Sequence, residues 1–261
     1  MPKPGPKPGK TRLDQLLVDR GLVESRTRAQ ALIMAGNVYS DTKRLDKAGQ
    51  QVKPDIAIEL KGQDHPWVSR GGLKLEKGLS HFGVDPTGFT CIDVGASTGG
   101  FTDVLLTNGA AKVYAVDVGQ GQLAWKLRSD ERVVVMEKTN ARYLASDDIP
   151  DPIDLVVCDA SFIGLETVLP AVLNLVRPGG HVIALIKPQF EVGKGRVGKG
   201  GVVREPELHK EVCDRIEAWL NGLDGWSVQG LTESPIKGPE GNVEFLICAG
   251  LSNEYKGYYE W

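Results

Sequence analysis

No apolar run in this chain approaches the length of a membrane span, and its four cysteines show no metal-ligand spacing. The first absence argues against a spanning helix, and the second against a zinc or iron–sulfur scaffold, so no metal is expected. The opening MPKPGPKPGK is basic but has no apolar core behind it, which does not fit a secretory signal. Its proline and glycine predict a disordered basic tail over residues 1–10. Three of Cys91, Cys158, Cys213 and Cys248 lie in strand-like apolar runs. Buried free thiols in a reducing compartment are the expectation, and hence a cytoplasmic protein. What is present is ordinary for a globular chain: 41% hydrophobic and 25% charged residues over 261 positions. That length accommodates one large domain and one small one.

The net charge of −3 conceals an asymmetry. Residues 1–62 hold 12 Lys and Arg against 7 Asp and Glu, while the remainder holds 19 against 27. A basic front on an acidic body suggests that the front meets a polyanion. Within it, TRLDQLLVDRGLVESRTRAQALIMAGNVYS predicts two short helices and a strand. Leu13, Leu16 and Leu17 share a helical face, with Gly21 at the C′ position. Ser25 caps a second helix with apolar face Ala29, Leu32 and Ile33, ended by Gly36. NVYS and DIAIEL alternate as strands. Arg12, Arg26 and Arg28 stand near helix starts, against the dipole, which a solvated charged face would also explain. The pattern R-L-D-x-L-L-V followed by S-R-x-x-A-x-x-L-I-x-x-G-x-V nevertheless resembles the S4 RNA-binding domain, over roughly 12 to 60. The resemblance implies an α+β unit at 11–60 that grips RNA with its helical basic face, using Arg12, Arg26, Arg28, Lys43 and Arg44.

KGQDHP at 61–66 has the make-up of a linker. Beyond it TCIDVG, KVYAVDV, VVVMEK, IDLVVCDA and HVIALIKP are short runs of the buried parallel type. Helical patterns near 100–108, 121–128, 164–176 and 206–220 separate them, and SRGGLKLEKGL (69–79) reads as a helix before the first strand. The alternation predicts an α/β fold with a doubly wound, Rossmann-like parallel sheet. WSVQGLTESP and NVEFLICAG have no helix between them and predict a terminal antiparallel hairpin. DVGASTGGF follows the first strand and opens a helix, where a cofactor meets free backbone N–H groups. The nicotinamide pattern G-x-G-x-x-G is missing, because Ser97 stands where its second glycine belongs. D-x-G-x-x-x-G-G resembles instead the loop that binds S-adenosylmethionine (SAM). That implies a cofactor site from Asp93, Gly95, Ala96, Ser97, Thr98, Gly99, Gly100 and Phe101, with Asp117 on the ribose hydroxyls, Asn140 near adenine and Asp159 adjoining. A tight βα turn without a ligand is the bland alternative, and Asn is also common in turns.

Asp159 and Lys187 end the fourth and fifth runs, so both project at the carboxyl edge where open sheets bind ligands. Glu244 begins the last strand, which runs antiparallel and so starts at that edge. If the hairpin inserts that strand beside the fifth, the three charges form one row. Taken singly, each charge at a strand end is more simply a solvated one. Lys187 precedes Pro188, which holds it extended. S-R-x-x-x-K-L, the glycine loop, the Cys-Asp end of run four and the lysine end of run five together resemble the FtsJ-type ribose 2′-O-methyltransferases. With the S4-like front, the match is to the TlyA (haemolysin A) family, over roughly 12 to 250. The resemblance implies a K-D-K-E catalytic set of Lys74, Asp159, Lys187 and Glu244. It also implies a cytidine ribose hydroxyl of ribosomal RNA as substrate, in one or both subunits, and a methyltransferase domain at 67–252. Lys187 would take the hydroxyl proton or hold the hydroxyl in line, with the acids orienting the lysines. A sulfonium methyl is already activated, so the transfer requires no metal.

The loop QFEVGKGRVGKGGVVRE carries five glycines with Lys194, Arg196, Lys199 and Arg204. It is expected to order on RNA phosphates, as is Arg70, although a flexible excursion would look the same. Phe162 suits base stacking and a core position equally. CDASF lacks the Pro-Pro-aromatic signature of amino-group methylation, and Cys158 precedes the aspartate rather than following a proline, against carbon methylation. An RNA-binding assembly factor with a SAM-sensing site is the alternative from a different class. Membrane lysis lacks a long basic amphipathic helix. The partner expected is ribosomal RNA or a ribosomal subunit, with no membrane and a monomeric chain. NEYKGYYEW at the end, within 253–261, has no assigned role.

Overall fold

A computed structural model describes residues 9–257 except Gly21, Glu24, Thr42, residues 61–64 and Lys194. Most of the expected basic tail, most of the linker, Gly21, Lys194 and the last four residues therefore lie outside the described residues. The chain divides into two units, Met1–Pro66 with Ala124–Lys126, and Trp67–Leu123 with Leu127–Trp261.

In the first unit, β1 (Thr11–Arg12) leads into α1 (Leu13–Asp19), followed by α2 (Arg26–Met34). Then come β2 (Val38–Ser40), β3 (Lys43–Arg44), β4 (Gln51–Val52) and β5 (Glu59–Leu60). Ser25 Oγ accepts the Arg28 N–H at 3.2 Å, and so caps α2 as its position predicts. Gly36 follows with φ 77°, a turn conformation that glycine adopts without strain. Leu13, Leu16, Leu17, Ala29, Leu32, Ile33 and Val38 form the core. The strands order β3-β2-β5, with β1 paired to β4. DIAIEL pairs only at Glu59 and Leu60, because Asp55 lies in a turn closed by the Ile56 N–H to the Lys53 carbonyl.

The second unit begins with α3 (Gly72–Phe82), three residues later than the pattern suggests and ended by Gly83 in the left-handed region. The alternation then runs β6 (Thr90–Val94), α4 (Gly100–Thr107), β7 (Lys112–Val116), α5 (Trp125–Arg128) and β8 (Val133–Met136). It continues with β9 (Ile153–Cys158), α6 (Leu165–Leu173), β10 (Val176–Ile186), α7 (Pro188–Glu191) and α8 (Pro206–Asn221). The chain closes with β11 (Trp226–Glu233) and β12 (Phe245–Leu251). The helical pattern over 121–128 shrinks to one turn, because Asp117 Oδ1 draws the Gly119 N–H into a turn and Gly121 takes φ 70°.

The seven strands order β11-β12-β10-β9-β6-β7-β8. β10, β9, β6, β7 and β8 are mutually parallel, and β12 runs antiparallel between β10 and β11. The hairpin thus inserts its second strand beside β10, the arrangement on which a charge row depends. The chain winds outward from β6 through β7 and β8, then returns to β9 on the other side of β6. That reversal opens a crevice at the carboxyl ends of β6 and β9. Ile92, Val156, Val182, Ile216 and Ile247 are among the buried residues of the core around the sheet.

Candidate active site

Asp159 follows β9, Lys187 follows β10 and Glu244 precedes β12, three neighbouring strands whose ends meet at one edge. Pairing of Ile186 with Phe245 sets Lys187 beside Glu244. Lys187 sits at φ −115° and ψ 97°, the extended form that the following proline favours. Lys74 arrives from α3. A Cβ at Gly78, one turn on, would stand 3.2 Å from Ile183 Cγ2, so glycine there lets the helix approach the sheet closely.

The four charges form one connected cluster. Lys74 Nζ lies 2.6 Å from Glu244 Oε2 and 3.5 Å from Asp159 Oδ2. Lys187 Nζ lies 2.6 Å from Asp159 Oδ1, an ion contact whose angles fall short of a hydrogen bond. Lys187 Nζ also donates to the Asp159 carbonyl at 3.2 Å and to Ser161 Oγ at 3.0 Å. Lys74, Lys187 and Glu244 are buried, and the Asp159 side chain is one-fifth exposed. Two cations against two anions make the set neutral, the condition under which buried charge is tolerated. Gln189 Nε2 donates to the second Glu244 oxygen at 3.3 Å, and the amide oxygen of Gln189 is buried without a partner. Ser161 and Gln189 are the residues that the sequence reading did not single out. Ser161 had one signal, its place two residues after Asp159, and Gln189 had only its place in the loop.

Beside the cluster lies a cleft of about 380 Å³. Gly95, Ser97, Asp117, Asn140 and Asp159 line it, with Val94, Val116, Val118, Ile163 and Val168 as its apolar wall. Gly95 is held at φ 80°, and a Cβ there would lie 3.0 Å from the Ala160 Cα. The loop therefore passes against the residue that follows Asp159. The two Asp117 oxygens accept the backbone N–H groups of Ser97 at 2.8 Å and Gly119 at 2.7 Å. Each carboxylate oxygen retains a lone pair for a ligand hydroxyl. Asn140 Oδ1 accepts the Arg142 N–H at 3.1 Å, which fixes its side chain at the rim.

Six residues expected at the cofactor build the loop instead of lining the cleft. Asp93 is fully buried, and its Oδ2 accepts the Thr102 N–H at 2.9 Å and Thr102 Oγ1 at 2.7 Å. Burial pushes the Asp93 carboxyl up to about 7, with the nearby acids Asp159 and Asp117 adding to the shift. Ala96 donates its N–H to the Val116 carbonyl, and Phe101 belongs to the core. A Cβ at Gly99 would strike Leu127, and one at Gly100 would strike Ser69. Thr98 is half-buried in the turn just before them. The fit to SAM rests on the wall that remains: a carboxylate with free lone pairs, an apolar side and a volume in the range of ligand cavities. Burial raises the Cys158 thiol to about 12, so it holds no reactive thiolate beside Asp159.

The basic residues separate into paired and exposed ones. Arg12 makes a two-pronged contact with Asp14 at 2.9 Å on both oxygens, and Arg26 reaches the same carboxylate at 3.0 Å. Asp14 is fully buried, so these two arginines are half-exposed members of an internal ion cluster rather than free surface cations. Arg196 pairs with Glu211 of α8 at 2.5 and 2.6 Å, which ties the glycine-rich loop to that helix. Arg28, Lys43, Arg44, Arg70, Lys199 and Arg204 are exposed. Phe162 is 90% exposed, which removes the core alternative, and its ring lies 5.0 Å from that of Phe190.

Residues 67–251 match the model of the FtsJ-like methyltransferases, and residues 11–55 that of the S4 domain. YqxC of Bacillus subtilis (strain 168), which carries an rRNA methyltransferase name, is 51% identical over 91% of this chain and 85% of its own. The 16S/23S rRNA (cytidine-2′-O)-methyltransferase TlyA of Mycobacterium tuberculosis (strain H37Rv) is 47% identical over 91% of this chain and 89% of its own. A solved structure from Streptococcus thermophilus, named as a hemolysin, superposes with a TM-score of 0.73 at 45% identity. It covers 95% of this chain and 90% of that one. With an S4 domain ahead of a seven-stranded sheet that ends in an inserted antiparallel strand, the chain belongs to the FtsJ-like methyltransferase family.

Proposed function

We propose that this chain transfers the methyl group of SAM to a ribose 2′-hydroxyl of ribosomal RNA, at a cytidine of one or both ribosomal subunits. The observation that carries the reading is the double membership of Asp159, which lines the cleft and also lies 2.6 Å from Lys187 Nζ. Cofactor and proton acceptor therefore share one residue, and a hydroxyl placed between them faces both. The names of the Bacillus and Mycobacterium relatives support RNA as substrate and, for the latter, the cytidine 2′-oxygen.

Bound SAM supplies a sulfonium methyl that is already activated toward an oxygen nucleophile. Asp117 would hold the ribose of the cofactor and Asn140 its adenine edge, with Asp159 beside the end that carries the methyl group. Lys187, after its ammonium has given a proton to solvent, holds the substrate hydroxyl in line and receives the hydroxyl proton as the O–CH₃ bond forms and the S–CH₃ bond breaks. Asp159 and Glu244 fix Lys187 and Lys74, so much of the acceleration comes from alignment. Arg28, Lys43, Arg44, Arg70, Lys199 and Arg204 supply the phosphate contacts. Phe162 offers an exposed ring on which the target base stacks. The cytoplasm, where ribosomes are built, is the place for this activity, and the chain acts as a monomer. Among the described residues no helix is long and apolar enough to cross a membrane, which gives no support to a membrane-spanning lytic role.

The test is incubation with methyl-labelled SAM and separated, unmodified ribosomal subunits, beside Lys187→Ala. Label on one ribose, lost in the variant, supports the reading and names the substrate. Label on a base overturns the role of the charge cluster. No label, with SAM and RNA both bound, replaces the enzyme with an RNA-binding assembly factor that senses SAM.

A further inference from the structure

Two loops carry the groups that meet the substrate in the reading above. One follows β9 and holds Asp159, Ser161 and Phe162. The other follows β10 and holds Lys187, Gln189 and Phe190. Lys187 and the two phenylalanines act only if these loops keep a fixed relation, and neither loop belongs to the sheet ladder that fixes their strands.

A single buried carboxylate spans them. Glu191, the last residue of α7, has a side chain only 4% exposed. Its Oε1 accepts the Leu165 N–H at 2.8 Å, at the first turn of α6. The neighbouring position is Gly164, where a Cβ would come within 3.1 Å of Glu191 Oε2. The absence of a side chain there admits the carboxylate. From α8, Arg215 Nη2 donates to Glu191 Oε2 at 2.8 Å and to the Glu191 carbonyl at 3.1 Å. Arg215 Nη1 also pairs with Glu166 of α6. One acid thus caps the helix after the first loop while its own backbone ends the short helix α7 that carries Gln189 and Phe190. Arg215 closes the join from behind.

We infer that Glu191, clamped by Arg215, is a positioning residue that sets Lys187 and Phe190 against Ser161 and Phe162. This rests on the methyltransferase reading. The distances that depend on the join are Lys187 Nζ to Ser161 Oγ at 3.0 Å and the Phe162 to Phe190 ring separation of 5.0 Å. Displacement of a reacting group by about 1 Å costs on the order of 10²-fold in rate. Loss of the join therefore slows turnover without touching Asp117 or Asn140, which hold the cofactor from β7 and β8.

The experiment compares wild type, Glu191→Ala and Glu191→Gln in the full chain by amide hydrogen exchange and by methyl transfer to ribosomal subunits. Asp154→Asn serves as a stability control, because Asp154 receives the Thr90 N–H and Arg177 at the opposite end of the sheet. Expected for Glu191→Ala is faster exchange over residues 160–166 and 188–193. Its kcat falls about 10-fold or more, and its SAM affinity stays within about twofold. Glu191→Gln keeps an acceptor for the Leu165 N–H and recovers most of the turnover, while Asp154→Asn loses stability but not kcat. Unchanged exchange in Glu191→Ala overturns the inference. Loosened loops with wild-type kcat make Glu191 purely structural, and overturn it too. A wild-type chain that transfers no methyl defeats the parent reading in the same experiment and takes this one with it.

Discussion

Asp159 holds two lysines at once, with Oδ1 2.6 Å from Lys187 Nζ and Oδ2 3.5 Å from Lys74 Nζ. Lys74 has a second anion in Glu244, whereas Lys187 has only this one among the described residues. The Asp159→Asn variant keeps the shape but leaves Lys187 with uncharged acceptors. Methyl transfer is expected to fall on the order of 10²-fold, the usual scale for misplacing a reacting group by about 1 Å. Single-turnover kinetics at saturating SAM measure this. A loss confined to KM would show that Asp159 serves substrate binding alone.

The glycine loop should titrate. Asp93 is buried with its carboxyl raised to about 7, so the folded chain keeps a proton there that the unfolded chain releases near pH 4. Unfolding between about pH 4 and 7 therefore sheds a proton, and stability falls as pH rises through that window, then levels above it. The slope from one such group approaches about 1.4 kcal/mol per pH unit. Asp93→Asn retains an acceptor for Thr102 and removes the slope. Urea unfolding of the cofactor-free chain from pH 4.5 to 8 should show the variant gaining on wild type up to pH 7. Parallel curves would sink the assignment.

Much of this site is legible in the sequence, for a topological reason. Lys187 and Asp159 end apolar runs, and the missing helix before NVEFLICAG implies an antiparallel strand, so three charges fall on one edge once β12 inserts beside β10. Lys74 came from resemblance, because a lysine in a helix carries no mark of burial. Asp93 and Phe101 show the opposite limit, since a motif gives residue types in order but not which face of the loop each occupies. Arg12 and Arg26 are expected on the RNA-gripping face, and nothing in the apolar period reveals that they also pair with Asp14, which sits inside between Leu13 and Leu17. Ser161 and Gln189 depend on turn geometry, which the spacing of residues leaves open.

Asp117 is the proposed cofactor residue with the clearest separation of roles. Asp117→Asn keeps one oxygen for the Ser97 or Gly119 N–H but loses the charge-assisted acceptor for two ribose hydroxyls. Hydrogen bonds to charged groups contribute about 1.5–3 kcal/mol, so SAM affinity should drop about 10- to 150-fold. Calorimetric titration with SAM measures it directly, without RNA. Affinity within twofold of wild type would move the ribose elsewhere in the cleft.

The S4 unit separates two kinds of arginine, and one pair of substitutions distinguishes them. Arg28 is exposed, so Arg28→Ala should weaken binding to a ribosomal RNA fragment and flatten the logarithmic salt dependence by about one unit, leaving urea stability unchanged. Arg12 is different, because its guanidinium holds the buried Asp14 carboxyl well below the usual carboxylate range. Arg12→Ala leaves that carboxylate with Arg26, Gln30 and the Gln15 N–H only. Exposure of Arg12 to solvent tempers the loss, and a modest fall in urea stability is expected to go with it. Under acid the deficit should shrink, since protonating Asp14 removes the charge that Arg12 compensates. If Arg12→Ala unfolds like wild type while losing the same salt slope as Arg28→Ala, the Asp14 contact contributes nothing and both arginines are plain phosphate ligands.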